Sequence, residues 1–314
     1  EKIIDIELFY DEMIRKDERP SWYIKETPKL NKKPWINLEQ IGIEKEIIQI
    51  DEIKLEIFKD DQGGQHYKQR SHKEDSVSRI WSIIYPMLKP STLIDIGANY
   101  GFTSCLLSNK LNIKNTIAIE PDIRLIKLLN SNMENNLNGS NYKVLNHLLS
   151  SKEKSFERFG INPKSTQDNR SKALDNWQEI IVPTLNLSSL LKNINTDLPF
   201  FIKMDTQGND VDIFISGLKE LINLDNWITR IEFAPNWMES QGFNPERELK
   251  YLCSIFDVFE SPSRCLWNAT FESIFNKPIN ANYSKDFCEY VRSLNHNNLG
   301  WVDLFIFPKS FLEC

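Results

Sequence analysis

A glycine-rich turn follows the apolar stretch Thr92–Ile96, and it is the first place in the sequence where a ligand could approach the main chain closely. A dinucleotide-binding turn would need glycines at positions 97, 99 and 102. The chain has Gly97, Asn99 and Phe102 there. Asn can take the left-handed backbone conformation, whereas Phe102 cannot provide the close helix–strand packing of the third glycine. The turn therefore suits a pyrophosphate-bearing cofactor poorly, and a tight turn without a ligand is the alternative.

An acidic residue closes the next apolar stretch, where the sequence reads Ile119-Glu120-Pro121-Asp122. A carboxylate at this place can accept hydrogen bonds from both hydroxyls of an adenosine ribose. NAD and S-adenosylmethionine both carry that ribose, so Glu120 alone does not separate them. The alternative role is that of a helix-start acid beside Asp122. Together with the missing glycine, Glu120 favours S-adenosylmethionine, and the site then predicts methyl transfer.

Two more carboxylates follow apolar stretches. Asp205 comes directly after Phe200–Met204, and Glu232 lies near the end of the stretch 228–233. Asp205 could hold the amino group of the donor, orient an acceptor hydroxyl or take its proton. It is the residue that we expect to act in catalysis, and Glu232 is a second candidate for the acceptor pocket. The alternatives are a turn in which Asp205 and Gln207 bind main-chain donors, and a structural ion pair at Glu232.

The stretch Tyr142–Ser150 is expected to contact adenine, with Asn146, His147 and Leu148 as the nearest residues. His147 is the only histidine near the predicted site and could be a general base. Its alternative role is that of a structural hydrogen-bonding residue.

The elements that position these residues are predicted from the apolar pattern. From about residue 91, short apolar stretches alternate with helical patterns; strands are expected at 92–96, 116–119, 142–148, 200–204, 228–233 and 302–307. Such alternation predicts a parallel sheet covered on both faces, with its ligand at the carboxyl ends of the strands. One helix is expected over Val77–Leu88 and another over Val211–Ile222. Residues 1–75 form an N-terminal extension and residues 76–314 the catalytic domain.

Four segments in order resemble the FkbM-type methyltransferases: 93–101, 118–121, 184–187 and 202–208. The first carries Asp-x-Gly-x-Asn-x-Gly, a pattern of many S-adenosylmethionine-dependent methyltransferases. The resemblance covers residues 75–235 and, more loosely, the stretch to 308. It implies a class I, Rossmann-like α/β fold, a doubly wound, mostly parallel sheet of seven strands with the last strand antiparallel. The family commonly has Val-Glu-Gly-Ala-Glu after the aspartate, where this chain has Thr206-Gln207-Gly208-Asn209-Asp210, and the identity of the base stays open.

The resemblance implies that residues 95–102 hold the methionine part of the cofactor, that Glu120 holds the ribose and that Asp205 lies beside the transferred methyl group. The full set of expected catalytic residues is Asp205, Glu232 and His147. The expected cofactor-binding residues are Asp95, Gly97, Ala98, Asn99, Tyr100, Gly101, Phe102, Thr103, Glu120, Pro121, Asp122, Asn146, His147, Leu148, Asp205 and Gln207. No metal ion is expected.

The predicted function is S-adenosylmethionine-dependent O-methylation, with a sugar hydroxyl of a glycan as the expected acceptor. The alternatives are methylation of a small natural product, a nucleotide-dependent oxidoreductase and a non-catalytic scaffold. Residues 160–180 are expected to be a solvated polar loop, with a lid as the alternative, and residues 65–70 are a further candidate for closing the pocket.

Composition limits the partners and the compartment. The 314 residues carry a formal charge of −6, with an isoelectric point near 5.5, which disfavours nucleic acid as a partner. No apolar stretch approaches the roughly 20 residues that span a bilayer. The five cysteines form no CxxC pair, so we expect reduced thiols and a cytoplasmic protein.

Overall fold

The computed structural model describes residues 44–70, 75–137, 139–152, 154–174, 177–262, 268–294 and 300–312. The first 43 residues of the predicted N-terminal extension lie outside the described residues, as do Asp175, Cys265 and Cys314.

Twelve strands and eleven α-helices occur in the described residues. The strands are β1 Lys45–Ile50, β2 Ile53–Phe58, β3 Thr92–Ile96, β4 Asn115–Ile119, β5 Asn141–Leu145, β6 Leu148–Leu149, β7 Phe156–Ile161, β8 Gln178–Leu185, β9 Phe200–Met204, β10 Trp227–Phe233, β11 Asp257–Glu260 and β12 Val302–Phe307. The helices are α1 Gln62–Arg70, α2 Asp75–Leu88, α3 Phe102–Lys110, α4 Ile123–Asn136, α5 Leu187–Leu191, α6 Asp210–Ser216, α7 Leu218–Leu221, α8 Pro235–Gln241, α9 Pro245–Ile255, α10 Phe271–Ile274 and α11 Ser284–Ser293. Short 3₁₀ turns occupy Thr166–Asp168, Ala281–Tyr283 and Lys309–Leu312.

The central sheet has seven strands in the order β11-β12-β10-β9-β3-β4-β5. Strands β10, β9, β3, β4 and β5 run parallel, and β12 pairs antiparallel with both β10 and β11. This order, with one antiparallel strand inserted near the edge, is the doubly wound class I arrangement that the sequence predicts. The predicted fold is therefore confirmed.

Alternate residues of each central strand face opposite layers of helices. Ile94 and Ile202 pack in a cluster with residues of α5, α6, α9 and α11. Leu93 and Phe201 pack in a second cluster with residues of α2 and α3. Because both faces are covered, most residues of these strands are apolar, and this is why the sequence pattern revealed them.

The strand pair β1–β2 lies against α4 and adds a third packed layer. Asn132 donates to the Glu56 carbonyl and accepts from its N–H at 3.0 and 2.7 Å. Asn136 makes the same pair of bonds with Lys54 at 2.8 and 3.0 Å. Two side-chain amides thus take the place of a neighbouring strand along the free edge of β2.

Three local expectations need correction. The helix expected over 211–222 is two short helices, α6 and α7, separated at Gly217, where a Cβ would lie 2.6 Å from Leu187 Cδ2. The strand expected over 142–148 ends at Leu145, and Leu148–Leu149 pairs instead with β8. Strand β11 was not expected.

The expectation of a solvated loop over 160–180 is also corrected. Ser165, Thr166 and Asn169 are buried. Asn169 donates to the Asp122 carboxylate at 2.7 Å and accepts from the Asn162 N–H at 2.8 Å. These bonds fold the segment back onto the domain.

Cys105, Cys253 and Cys288 carry free thiols. In the part of the chain that the structure describes, no helix is both long enough and apolar enough to span a membrane.

Candidate functional site

A cleft of about 370 Å³ opens at the carboxyl ends of β3, β4, β9 and β10. Of the predicted site residues, the following line it: Gly97, Ala98, Asn99, Phe102, Thr103, Glu120, Pro121, His147, Leu148, Asp205, Gln207 and Glu232. Parallel strands bring their carboxyl ends to one edge. Residues from distant parts of the sequence therefore meet in one cleft.

The glycine-rich turn is fixed between two neighbouring strands. The N–H groups of Gly97 and Ala98 donate to the Ile119 carbonyl at 2.9 and 3.0 Å. Gly97 has a φ of +75°, and a Cβ at this position would lie 2.1 Å from the carbonyl oxygen of Asp205. Only glycine fits here, because the turn after β3 and the turn after β9 touch through their main chains.

Glu120 holds the same turn from its other side. One carboxylate oxygen accepts from the Asn99 N–H at 2.9 Å, and the other accepts from the Asp122 N–H at 2.8 Å. Burial, followed by the negative charge of Asp122, raises the pKa of Glu120 to about 8. Each oxygen keeps acceptor capacity for a further hydrogen bond.

Behind the turn lies a buried ion pair. Lys203 Nζ is 2.9 Å from Asp95 Oδ1 and donates to the Gly97 carbonyl at 3.0 Å. It is also 3.9 Å from Asp205 Oδ2. Burial alone would lower the pKa of Lys203, but the charges of Asp95 and Asp205 outweigh it, so the pKa is raised and the lysine stays charged. One cation therefore holds together the ends of β3 and β9.

Acidic groups gather where β9 and β10 end. Asp205 is 42% exposed, whereas Glu232 is buried. The Asp210 carboxylate accepts from the Thr206 hydroxyl at 2.8 Å and from the Glu232 N–H at 3.3 Å, so it ties the two strand ends together. Burial and the charge of Asp205 raise the pKa of Asp210 to about 6. Burial, then Asp205 and Asp210, raise the pKa of Glu232 well above its ordinary value.

Arg230 is the second cation that lines the cleft. Its guanidinium donates to Asp303 at 2.5 Å. The two cleft cations, Lys203 and Arg230, are thus each bound to an acid outside the cleft lining, Asp95 and Asp303 respectively.

His147 lies in the cleft wall beside Leu148. Burial, and next the charge of Lys143, lower its pKa to about 4. The ring is therefore neutral at physiological pH. Its Nδ1 is buried and has no hydrogen-bond partner among the described residues.

Five predicted cofactor-binding residues do not line the cleft. Asp95 binds Lys203 and the Ser104 hydroxyl. Tyr100 donates to Asp61, and Gly101 packs against Leu129, which lies 2.6 Å from where its Cβ would be. The remaining two, Asp122 and Asn146, hold neighbouring main chain: Asp122 caps α4 and binds Arg124, and Asn146 donates to the carbonyls of Glu120 and Pro121. These side chains are placed to support the cleft wall from behind.

Several cleft residues were not expected. Lys203 and Arg230 lie inside apolar strands, and their only signal in the sequence was a lone cation in a buried stretch. Trp237 and Trp301 also line the cleft, and residues 65–70, a candidate segment for closing the pocket, contribute His66 and Tyr67. The turn 166–169 and Ser171 line the cleft as well.

Comparison with known families decides the class of the protein. Residues 95–260 match the family described as the Methyltransferase FkbM domain, which is more than half of the chain. The chain belongs to the FkbM methyltransferase family. It is a methyltransferase, and its cofactor is S-adenosylmethionine, as predicted.

Solved methyltransferase structures are similar to the chain at low identity. One is precorrin-6y C5,15-methyltransferase from Geobacter metallireducens GS-15, with 11% identity, 74% of this chain and 88% of that chain covered, and a TM-score of 0.36. Another is the plantazolicin methyltransferase BamL in complex with a triazolic desmethylPZN analog and SAH, with 11% identity, 77% and 89% coverage, and a TM-score of 0.38. A comparison with curated proteins gives no match.

The residues of the cleft fit this cofactor. Asn99 Oδ1, His147 Nδ1 and Gln207 Oε1 are buried without hydrogen-bond partners among the described residues. Buried polar atoms are normally paired, so the two amide oxygens can accept hydrogen bonds from the amino and hydroxyl groups of a nucleoside amino acid. The His147 nitrogen can accept or donate one, according to its tautomer. The Glu120 carboxylate adds acceptor capacity for ribose hydroxyls.

Proposed function

We propose that this methyltransferase transfers the methyl group to a hydroxyl oxygen, on a sugar of a glycan. The observation that carries the proposal is that Asp205 and Glu232 line the same cleft as Trp237 and Trp301. Carboxylates accept hydrogen bonds from hydroxyl groups, and indole rings offer flat apolar faces to the C–H faces of sugars. Trp301 is 48% exposed and offers such a face.

The charge of the cleft supports a neutral acceptor. Four acids line it: Glu120, Asp168, Asp205 and Glu232. Lys203 and Arg230 are bound to Asp95 and Asp303, as described above, and do not offer free positive charge. The carboxylates of Asp168 and Asp205 would repel a phosphate-rich partner here. We therefore do not expect a nucleic acid as the acceptor.

S-adenosylmethionine supplies the methyl group on a positively charged sulfonium. The protein has to orient the acceptor hydroxyl and receive its proton. We propose that Glu232 receives the proton of the acceptor hydroxyl. Its pKa is raised by burial and by neighbouring acids, and its Oε2 is buried without a hydrogen-bond partner among the described residues. A carboxylate with a raised pKa is a stronger base than an ordinary one.

In this proposal Asp205 orients the acceptor or the donor amino group, and His147 remains a neutral hydrogen-bonding residue. Asp205 is part-exposed and lies 3.9 Å from Lys203. The low pKa of His147, about 4, makes it a weak base at neutral pH.

The experiment offers neutral oligosaccharides to the protein with S-adenosylmethionine and measures a mass gain of about 14 Da per methyl group, from the replacement of one hydrogen by CH₃. Glu232→Gln should lower kcat by about 10²-fold or more while the affinity for S-adenosylhomocysteine stays unchanged. Glu248→Gln is the matched control, since Glu248 is also buried with a raised pKa but lies outside the cleft.

Two outcomes would change the assignment. Loss of turnover in Asp205→Asn together with normal turnover in Glu232→Gln would make Asp205 the base. Methylation of amines or thiols with no product on any hydroxyl compound would refute O-methylation.

We also propose a cytoplasmic location. The free thiols of Cys105, Cys253 and Cys288 suit a reducing compartment. The test is fractionation of cells that express the tagged full-length protein. Recovery in a secreted or periplasmic fraction would contradict it.

A further inference from the structure

Asp61 lies between β2 and α1 and is completely buried. Its carboxylate accepts five hydrogen bonds, and their donors come from three separate parts of the chain. Oδ1 accepts from the N–H groups of Thr166 and Gly63, at 2.9 and 3.2 Å. Oδ2 accepts from the Thr166 hydroxyl, the Tyr100 hydroxyl and the Gly64 N–H, at 2.7, 2.7 and 2.8 Å.

The three parts are the start of α1, the 3₁₀ turn Thr166–Asp168 and the glycine-rich turn after β3. Gly63 lies so close to this 3₁₀ turn that a Cβ would be 2.8 Å from Gln167 Cγ. The Asn99 amide donates to the Thr166 hydroxyl at 3.3 Å. Asp61 therefore joins the N-terminal segment to the loop that contacts the cofactor site.

Both segments held by Asp61 line the cleft. His66 and Tyr67 come from α1, and residues 166–169 come from the loop between β7 and β8. The Tyr67 ring packs against Phe102 and Tyr100, at centroid distances of 5.6 and 6.1 Å. We name this wall, residues 62–68 with 166–169, the cover. It stands beside Asn99 and Phe102 of the turn that is expected to hold the methionine part of the cofactor.

We infer that Asp61 is a positioning residue for cofactor binding, and that residues 44–70 belong to the cofactor-binding unit of this enzyme. The N-terminal boundary of the domain then lies at or before residue 44 and not at residue 76. The family match begins at residue 95, so the cover is built from residues on both sides of the match boundary.

Chemistry explains why a carboxylate is needed at this position. All five groups that point at Asp61 are donors, and a carboxylate is an acceptor at both oxygens. Asn at position 61 would turn an NH₂ group toward two or three of these donors, which leaves them unpaired. The cover would lose its fixed distance from the glycine-rich turn, while the apolar core elsewhere would be unchanged.

The test uses the full chain and two kinds of measurement. In Asp61→Asn, calorimetry should show S-adenosylhomocysteine binding weakened by tenfold or more, and the KM for S-adenosylmethionine should rise by a similar factor. At saturating cofactor, kcat should stay within about twofold, because the substitution does not touch Asp205 and Glu232, the residues proposed to act on the acceptor. Asp51→Asn is the control. Asp51 is an exposed aspartate in the turn between β1 and β2, and this variant should bind S-adenosylhomocysteine like the wild type.

A second readout does not depend on the folding of any variant. In the wild type, S-adenosylhomocysteine should slow amide hydrogen exchange in residues 62–68 and 166–169. Thr166→Val removes the hydroxyl that donates to Asp61 and accepts from the Asn99 amide, and it leaves the other four donors to Asp61 in place. It should weaken binding by a smaller factor than Asp61→Asn.

Unchanged exchange in residues 62–68 on binding would overturn the inference. So would a lower melting temperature with normal affinity in Asp61→Asn, since that is the result of a purely structural role. Neither result would bear on whether the acceptor is a sugar hydroxyl.

Discussion

The ionisation of Glu120 predicts how cofactor affinity depends on pH. Its pKa is raised to about 8 by burial and by Asp122, so the free protein carries a mixture of ionised and protonated Glu120 at neutral pH. Ribose hydroxyls are donors, and they bind an ionised carboxylate about twice as strongly as a neutral acceptor. Affinity for S-adenosylhomocysteine should therefore increase as the pH rises toward 8.

The magnitude follows from the ionised fraction. If only ionised Glu120 binds, the apparent Kd equals the intrinsic Kd divided by that fraction, which is roughly 1% at pH 6 and one half at pH 8. The largest increase in affinity that this assumption allows is roughly 50-fold between these pH values. If the protonated form also binds, the increase is smaller than roughly 50-fold, but affinity still rises with pH.

Calorimetric titration with S-adenosylhomocysteine from pH 6 to pH 9 measures the effect. Glu120→Gln keeps the shape of the side chain and removes its titration, so its affinity should be lower at pH 8 and nearly independent of pH. Titration of the ligand itself occurs in both proteins and is removed by the comparison. A wild-type affinity that does not change with pH, or the same slope in both proteins, would refute the reasoning.

The free energy of unfolding should change with pH in the opposite direction to cofactor affinity. The folded pKa of Glu120, about 8, lies above its ordinary value of 4.5, so the folded state binds more protons than the unfolded state between these pH values. The free energy of unfolding then falls as the pH rises through this window. Chemical denaturation should show a shallower fall in Glu120→Gln, and an equal fall in both proteins would contradict the assignment.

Further predictions concern other parts of the cleft. Trp301→Ala should raise the KM for a glycan acceptor by about tenfold and leave S-adenosylhomocysteine affinity unchanged, whereas Trp301→Phe should retain most of the affinity. Gly97→Ala should abolish cofactor binding, because its Cβ would collide with the Asp205 carbonyl; near-normal calorimetric binding would disprove this. Lys203→Met should lower the free energy of unfolding by about 3–5 kcal/mol, since it leaves the charge of Asp95 buried and unpaired; denaturant titration measures it. Activity should survive EDTA, and a loss that Mg²⁺ restores would overturn this expectation.

The sequence predicted the sheet well because its strands are buried on both faces. An apolar stretch such as Phe200–Met204 stands out whatever surrounds it, and the residue that follows must lie at the ligand edge. Glu120 and Asp205 could be located in this way. The break at Gly217 could not, because it depends on the close approach of Leu187 from another helix.

The cover could not be predicted for the same kind of reason. Asp61 and Thr166 are 105 residues apart, and nothing in either local pattern indicates that one carboxylate joins them. Tyr100 was expected to touch the cofactor because the family resemblance assigns residues 95–102 to the methionine part. Asp122 was expected to do so because it follows the end of a predicted strand beside Glu120. The sequence pattern placed both residues near the cofactor site. It could not predict the direction of each side chain, because that depends on partners such as Asp61 and Arg124.

The place of β12 in the sheet has a consequence for synthesis of the chain. Among the residues that the structure describes, β11 pairs with β12, and β12 is the neighbour of β10 on the side away from β9. Until residues 302–307 have left the ribosome, the outer edge of β10 lacks its partner and offers unpaired N–H and C=O groups to other chains. Exposure of that edge before β12 pairs with it is expected to favour aggregation of the nascent chain. Expression at low temperature or with chaperones should raise the yield of this protein more than changes to its surface would.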